Sequence, residues 1–222
     1  MNADPGLLEH PQPPTSTRRG LLLVVSAASG TGKTSLVTAL TAQLPDIRCS
    51  ISHTTRARRP GEVDGVHYHF IDSSRFEQMV AAGAFLEHAT VFDHHYGTTR
   101  AEVEAHWAAG RDVILEIDWQ GARQVRASHP STRSLFILPP SLTELQSRLS
   151  QRPGSSDREV TRRMRDAVAE MQHHAEYDYL LVNDDFQTAL EGFVAIVRAE
   201  RLTVQRQLSQ LSTHLAGLLS AG

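Results

Sequence analysis

Residues 21–35 read Leu-Leu-Leu-Val-Val-Ser-Ala-Ala-Ser-Gly-Thr-Gly-Lys-Thr-Ser, and the fold turns on how they are read. The run Leu21 to Val25 is apolar at every position, as a parallel strand buried on both faces requires. Immediately downstream, Ser35 to Leu44 sets Leu36, Val37, Leu40 and Leu44 on one stripe at helical spacing. A strand, a glycine-bearing loop and a helix in that order form the context of a phosphate-binding loop. Gly30 and Gly32 let the chain curl so that successive N–H groups point inward, and the helix N-terminus adds its positive end. The predicted cradle comprises Ala27, Ala28, Ser29, Gly30, Thr31, Gly32, Lys33, Thr34 and Ser35. Lys33 would reach the β- and γ-phosphates of a nucleoside triphosphate, and the Thr34 hydroxyl would ligate Mg²⁺. Ala27 stands where the general pattern has its first glycine, which is tolerable only if that position keeps a negative φ.

Working outward, short apolar runs recur at Val113 to Ile117, Leu135 to Leu138 and Tyr179 to Val182, with amphipathic stretches between them. Alternation of this kind predicts an α/β domain whose parallel strands are joined by right-handed crossovers. Two segments interrupt it. Residues 53 to about 104 carry turn signals at Arg59-Pro60-Gly61 and Asp64-Gly65, with aromatic runs Tyr68 to Ile71 and Phe85 to Phe92, and predict a small antiparallel insert. Residues 141 to about 163 contain Pro153-Gly154-Ser155-Ser156 among arginines, the composition of a polar flap between helical arms. Residues 1–19 hold four prolines without apolar periodicity and read as a disordered tail. At the other end, Leu190, Val197, Val204, Leu211 and Leu218 fall seven apart, with Val194, Leu208 and Leu215 four further on and Arg201 the exception. That spacing predicts one long helix, packed on its own domain or used as a self-association seam.

Charge and composition narrow the function. A formal charge of −3 is too balanced for a broad nucleic-acid or membrane footprint, so any basic cluster has a local purpose. Lys33 is the single lysine among 22 basic residues, which suits a site needing a compact point charge rather than a planar fork. The one cysteine, Cys49, has no intramolecular partner, and no secretory leader or apolar run of about 18 residues is seen; a cytoplasmic location fits.

Several ordered motifs then share one pattern. They are Ser-Ala-x-Ser-Gly-x-Gly-Lys in the loop, Ser52-His53-Thr54-Thr55-Arg56-x-x-Arg59-Pro60-Gly61-Glu62, Phe85-Leu86-Glu87, Tyr96-Gly97-Thr98, Ile117-Asp118-Trp119-Gln120-Gly121, Phe136 to Pro140, and Val182-Asn183-Asp184-Asp185. Across residues 20 to 210 the chain resembles bacterial guanylate kinases, in which alanine at the first loop position is familiar. The resemblance implies a P-loop NTPase three-layer α/β fold with a central parallel sheet. Its core would comprise 20–52, 105–140 and 164–222, with a small α+β GMP-binding insert at 53–104 and a helical lid at 141–163. It implies that ATP and Mg²⁺ are used and that GMP, with dGMP, is the acceptor. On the same ground Arg56, Arg59, Tyr68 and Tyr96 hold the GMP phosphate. Ser52, Glu87 and Thr98 surround guanine, Asp118 lies near the base, and Glu116 lies near metal or phosphates. Arg148, Arg152 and Arg163 close over the transferring group, and Asn183 sits by the adenine. The chemistry agrees: guanidinium forks bind phosphate bidentately, and a Glu87 carboxylate accepts from guanine N1–H and its 2-amino group. Adenine presents a lone pair at N1 and would leave that carboxylate unpaired.

Glu116, Pro153 and Ser155 depart from the family's usual Asp, Gly and acidic residue. The histidine pairs at 67 and 69, 94 and 95, and 173 and 174 lack metal-site spacing. Asp184-Asp185 reads as a helix cap as readily as a metal site. Two other classes are compatible with parts of the pattern, namely a non-catalytic interaction module of the same fold and a P-loop kinase for another acceptor. The intact Lys33, Thr34, Arg56, Arg59 and Arg163 weigh against the first, and Ser52, Glu87 and Thr98 against the second.

Overall fold

A computed structural model describes residues 20–91, 93–151 and 156–220. The expected tail at 1–19, Arg152 and the flap residues Pro153 to Ser155 lie outside the described residues. Strand β1 (Leu22–Ala27) is central, pairing in parallel with β7 (Asp112–Glu116) on one side and β8 (Arg133–Leu138) on the other. Adding β2 (Ile47–Cys49) and β9 (Tyr179–Val182) at the edges, the described residues form a five-stranded parallel sheet of order β2-β7-β1-β8-β9.

Alternation along β1 explains the layers. Leu21, Leu23 and Val25 face helix α1 (Lys33–Gln43) and helix α7 (Phe186–Arg201), packing with Leu36, Leu40, Phe193 and Val197. Leu22 and Val24 face the opposite layer, α3 (Arg100–Ala108) and α4 (Trp119–Ser128), with Val103, Trp107 and Val125. All five are at most 1% exposed, and each such side chain contributes about 1.5–3 kcal/mol of burial. No helix among the described residues is long and apolar enough to cross a membrane.

Residues 53–99 carry the interruption expected from the turns. Strands β3 (His53–Thr54), β4 (His69–Phe70), β5 (Phe85–Val91) and β6 (His94–Thr99) form a second sheet of order β4-β3-β6-β5. It is mixed rather than wholly antiparallel, because β3 and β4 run parallel. The aromatic run that begins at Tyr68 yields only two strand residues, since Asp72 caps helix α2 (Ser73–Ala81) by accepting from Arg75 N–H at 2.7 Å. Phe76 of α2 stacks on Phe85 at 4.6 Å and on His95 at 5.2 Å, which gives the small sheet its own apolar seat. The polar segment after β8 forms α5 (Leu142–Ser150) and α6 (Asp157–Met171), each with a serine N-cap. Helix α6 runs through 163–164 without interruption.

Two expectations are corrected. Strand β9 is not buried on both faces: as the edge strand it leaves Leu180 and Val182 about half exposed, while Tyr179 and Leu181 pack on the core. The C-terminal heptads do not form one helix. The chain turns at Leu202–Thr203, and a separate helix, α8 (Val204–Leu219), follows. Arg201, the residue that broke the heptad, supplies the reason. Its Nε donates to Asp112 Oδ2 at 2.6 Å and holds the end of α7 against the sheet, while Gln207 Nε2 caps the Arg201 carbonyl at 2.8 Å. Consequently Leu190, Val194 and Val197 are core, whereas Val204, Leu208, Leu211 and Leu218 are exposed.

Asp112 is 2% exposed, and its other oxygen accepts the Leu21 N–H at 2.6 Å. Asp112→Ala would strand both donors, so a loss of about 3 kcal/mol is expected, read as the urea midpoint; an unchanged midpoint would show that this pair does not anchor α7.

Candidate active site

Between β1 and α1 the backbone curls as the glycines require. Gly30 and Gly32 have φ of 97° and 89°, whereas Ala27 is the last residue of β1 and keeps strand geometry. The methyl at 27 therefore meets no conformational obstacle. Thr31 is fully buried and its hydroxyl donates to the Ala28 carbonyl at 2.9 Å. From the opposite side Asn183 Nδ2 donates to the Thr31 carbonyl at 2.6 Å. A Cβ at Gly32 would lie 2.5 Å from that nitrogen, so glycine is demanded there by close approach as well as by φ. The Asn183 side-chain amide thus braces the loop, and its backbone carbonyl accepts from Arg148 Nη1 and Nη2 at 3.3 Å.

Lys33 and Thr34 open α1 beside the end of β7. Thr34 Oγ1 donates to Glu116 Oε2 at 3.0 Å, and Lys33 Nζ lies 3.8 Å from the same oxygen. A hydroxyl and a carboxylate side by side are the hard oxygen donors that Mg²⁺ takes, so the residues present fit that ion. The methylene that distinguishes Glu116 from Asp leaves its carboxylate within reach of Thr34. Cys49 Sγ is 3.5 Å from Glu116 Oε1; burial, then the Glu116 charge, push the thiol well above its ordinary range, so it remains a neutral packing group.

At the far end stands Glu87 on β5, 3% exposed. Burial raises its carboxyl to about 7 against the opposing pull of hydrogen bonds from Thr98, with the Asp118 charge adding to the rise. Ser52 Oγ and Thr98 Oγ1 form a hydroxyl pair at 3.0 Å. Asp118 caps α4, accepting Gly121 N–H at 3.0 Å and Gln120 Nε2 at 2.8 Å. Nearer the mouth, the rings of Tyr68 and Tyr96 meet edge to face at 5.9 Å, and the Arg56 guanidinium sits 5.4 Å from the Tyr68 ring.

One cavity of about 760 Å³ joins the two ends. Ala27, Ser29, Lys33, Thr34, Ser52, Arg56, Arg59, Tyr68, Glu87, Tyr96, Glu116, Asp118 and Arg163 all line it. Thr98 reaches it through Ser52. Arg148 and Asn183 stand behind the loop, Ser35 is exposed on α1, and Arg152 lies outside the described residues.

Two carboxylates escaped the sequence reading. Glu62 grips Arg56 bidentately, at 2.6 and 3.0 Å, and accepts Arg59 N–H at 2.7 Å. The sequence showed it as the last residue of the Ser52–Glu62 motif without giving it a role. Glu170 lines the cavity from α6, and burial, then the charge of Asp118, raise its carboxyl to about 7. Its Oε2 has no hydrogen-bond partner among the described residues. It lies seven residues after Arg163, on the same helical face, which is the signal that could have found it.

A phosphate loop of this geometry at the C-terminal end of the central strand of a parallel sheet, facing a second basic and tyrosine-lined site across one cavity, defines a P-loop kinase. The guanylate kinase family matches residues 19–200. A guanylate kinase from Methylococcus capsulatus is 57% identical over 90% of this chain and 98% of its own length, and one from Alkalilimnicola ehrlichii is 57% identical with the same coverage. The crystal structure of guanylate kinase from Anaplasma phagocytophilum superposes with a TM-score of 0.72, at 34% identity, covering 85% of this chain and 90% of that one. This chain belongs to the guanylate kinase family.

The raised Glu87 carboxyl has a thermodynamic consequence. A carboxyl that titrates near 4.5 when unfolded and near 7 when folded favours the native state below pH 4.5, and that contribution is lost as pH rises through 7. The shift corresponds to about 3 kcal/mol. Glu87→Gln removes the buried charge, so its melting temperature should exceed that of the unaltered protein at pH 8 and match it at pH 5; equal melting at both values would overturn the assignment.

Proposed function

We propose that the protein transfers the γ-phosphoryl group of ATP to GMP, giving ADP and GDP. The observation that carries this reading is a single cavity with a P-loop lysine at one end and a buried carboxylate beside a hydroxyl pair at the other. Residues 27–35 and Lys33 would hold the donor phosphates, Asn183, whose amide also braces the loop, would sit by the adenine, and Arg148, which donates to the Asn183 carbonyl, would close over the transferring group. Arg56, Arg59, Tyr68 and Tyr96 would hold the acceptor phosphate. Ser52, Glu87, Thr98 and Asp118 would read guanine, whose N1–H and 2-amino group satisfy an acceptor that adenine leaves unpaired. Because these residues read the base, dGMP is accepted with GMP. Mg²⁺ would be held by Thr34 and Glu116 and would neutralise phosphate charge.

A phosphate monoester is largely dianionic at neutral pH, with its second pKa near about 6, so the attacking oxygen needs no general base. The protein's part is to align the two phosphates, offset their charge and exclude water. We read 53–104 as the GMP-binding lobe, 141–163 with Arg148, Arg152 and Arg163 as the lid, and the remainder of 20–222 as the core. Arg163 at the cavity wall supports a lid role. A cytoplasmic location is favoured by the unpaired Cys49.

A coupled ADP-release assay with GMP, AMP, CMP and UMP in parallel tests the reaction. GMP alone should be turned over efficiently, and Lys33→Ala should lower kcat by roughly 10²–10³-fold, the scale of losing one transition-state charge contact. Equal rates with AMP would remove Glu87 from base selection.

One observation favours self-association as well. On α8, Val204, Leu208, Leu211, Leu215 and Leu218 alternate four and three apart, the spacing of a coiled-coil seam, and four of them are exposed. We propose that α8 pairs with α8 of a second copy. Light scattering across protein concentration should give a particle larger than one chain, and Leu211→Asp should return it to a monomer; a monomer at every concentration would discard the seam.

A further inference from the structure

Strand β5 carries Glu87 yet lies at the edge of its sheet, where backbone N–H and C=O groups lack a neighbouring strand. At His88, the next residue, both groups are nevertheless satisfied. Gln124 Nε2 donates to the His88 carbonyl at 2.7 Å, and Gln124 Oε1 accepts the His88 N–H at 3.1 Å. One carboxamide thus occupies the place of a further strand's peptide group. Gln124 belongs to α4, a helix of the large sheet's layer, so this contact fixes where the strand of the small sheet stands relative to the core. Three residues earlier on the same helical face is Gly121. A Cβ there would lie 2.4 Å from Glu87 Oε2, 3.1 Å from its Cδ and 3.3 Å from Ile117 Cδ1. The carboxylate would have to shift from its place beside Thr98, and Glu87 is only 3% exposed.

We propose that Gly121 and Gln124 are positioning residues for base selection: Gln124 sets the register of β5 against the core, and the missing side chain at 121 leaves the slot that the Glu87 carboxylate occupies. The inference rests on the reading that Glu87 accepts from guanine. It assigns the geometry of that contact to a core helix that reaches the base only through Glu87 and Asp118. Alanine is a better helix former than glycine, so a defect in Gly121→Ala traces to the contact rather than to α4.

The test compares Gly121→Ala, Gln124→Met, which keeps length and loses both hydrogen bonds, and Glu87→Gln, with GMP, IMP and ATP varied in turn. IMP offers N1–H without the 2-amino group, so it reports the fit of the carboxylate. Gly121→Ala and Gln124→Met should each raise the KM for GMP about tenfold with kcat changed less than threefold. The KM for ATP should stay within twofold, and the preference for GMP over IMP should shrink. A merely structural role would move the kinetics of both substrates together and leave the GMP to IMP ratio unchanged, which overturns the proposal. So does a normal GMP KM in both variants while Glu87→Gln raises it. A normal GMP KM in Glu87→Gln itself instead overturns the reading of Glu87, and this proposal with it.

Discussion

A cavity lined by a phosphate loop and by several arginines gathers cations, and in the free protein those cations need compensation. Like charges 4 Å apart repel by about 4 kcal/mol at an effective dielectric near 20, so bare guanidinium and ammonium groups would destabilise the fold they serve. The structure answers with a carboxylate for most of them. Lys33 faces Glu116, Arg56 is gripped by Glu62 and Arg163 pairs with Glu159, while behind the loop Arg148 pairs with Glu144. Arg56 and Arg163 thus line the cavity with their guanidinium groups already oriented by a carboxylate. Two of the four partners precede their arginine by four residues on a helix, an economical way to hold a mobile side chain.

The two ends of the cavity are built on different sheets, and α4 is what relates them. Its N-cap, Asp118, follows β7 directly and lines the cavity; its next turn touches Glu87 and the free edge of β5. A helix that caps itself with a cavity residue and braces the strand opposite ties the two ends of the cavity together. Bracing of the same kind recurs at Asn183, whose amide supports the phosphate loop from behind.

The C-terminal helices illustrate how one heptad pattern serves two ends. Up to Arg201 its apolar positions complete the core; beyond Thr203 the same spacing is turned outward, because the Arg201–Asp112 contact ends the first helix against the sheet. A sequence pattern records which residues want to be dry, without recording what dries them.

Residues 21–44 by themselves determined the phosphate loop, since strand, curl and helix are local and Gly30, Gly32 and Lys33 fall within four consecutive residues. The parallel α/β core followed from runs apolar on both faces, and Ser52, Glu87 and Thr98 were singled out by ordered motifs. Only tertiary structure decided that β9 is half exposed, that Asn183 braces the loop, that Glu62 and Glu170 belong to the cavity, and that Gly121 must lack a side chain. Those outcomes depend on which atoms the fold brings within a few ångströms across tens of residues, and periodicity along the chain carries no measure of that distance.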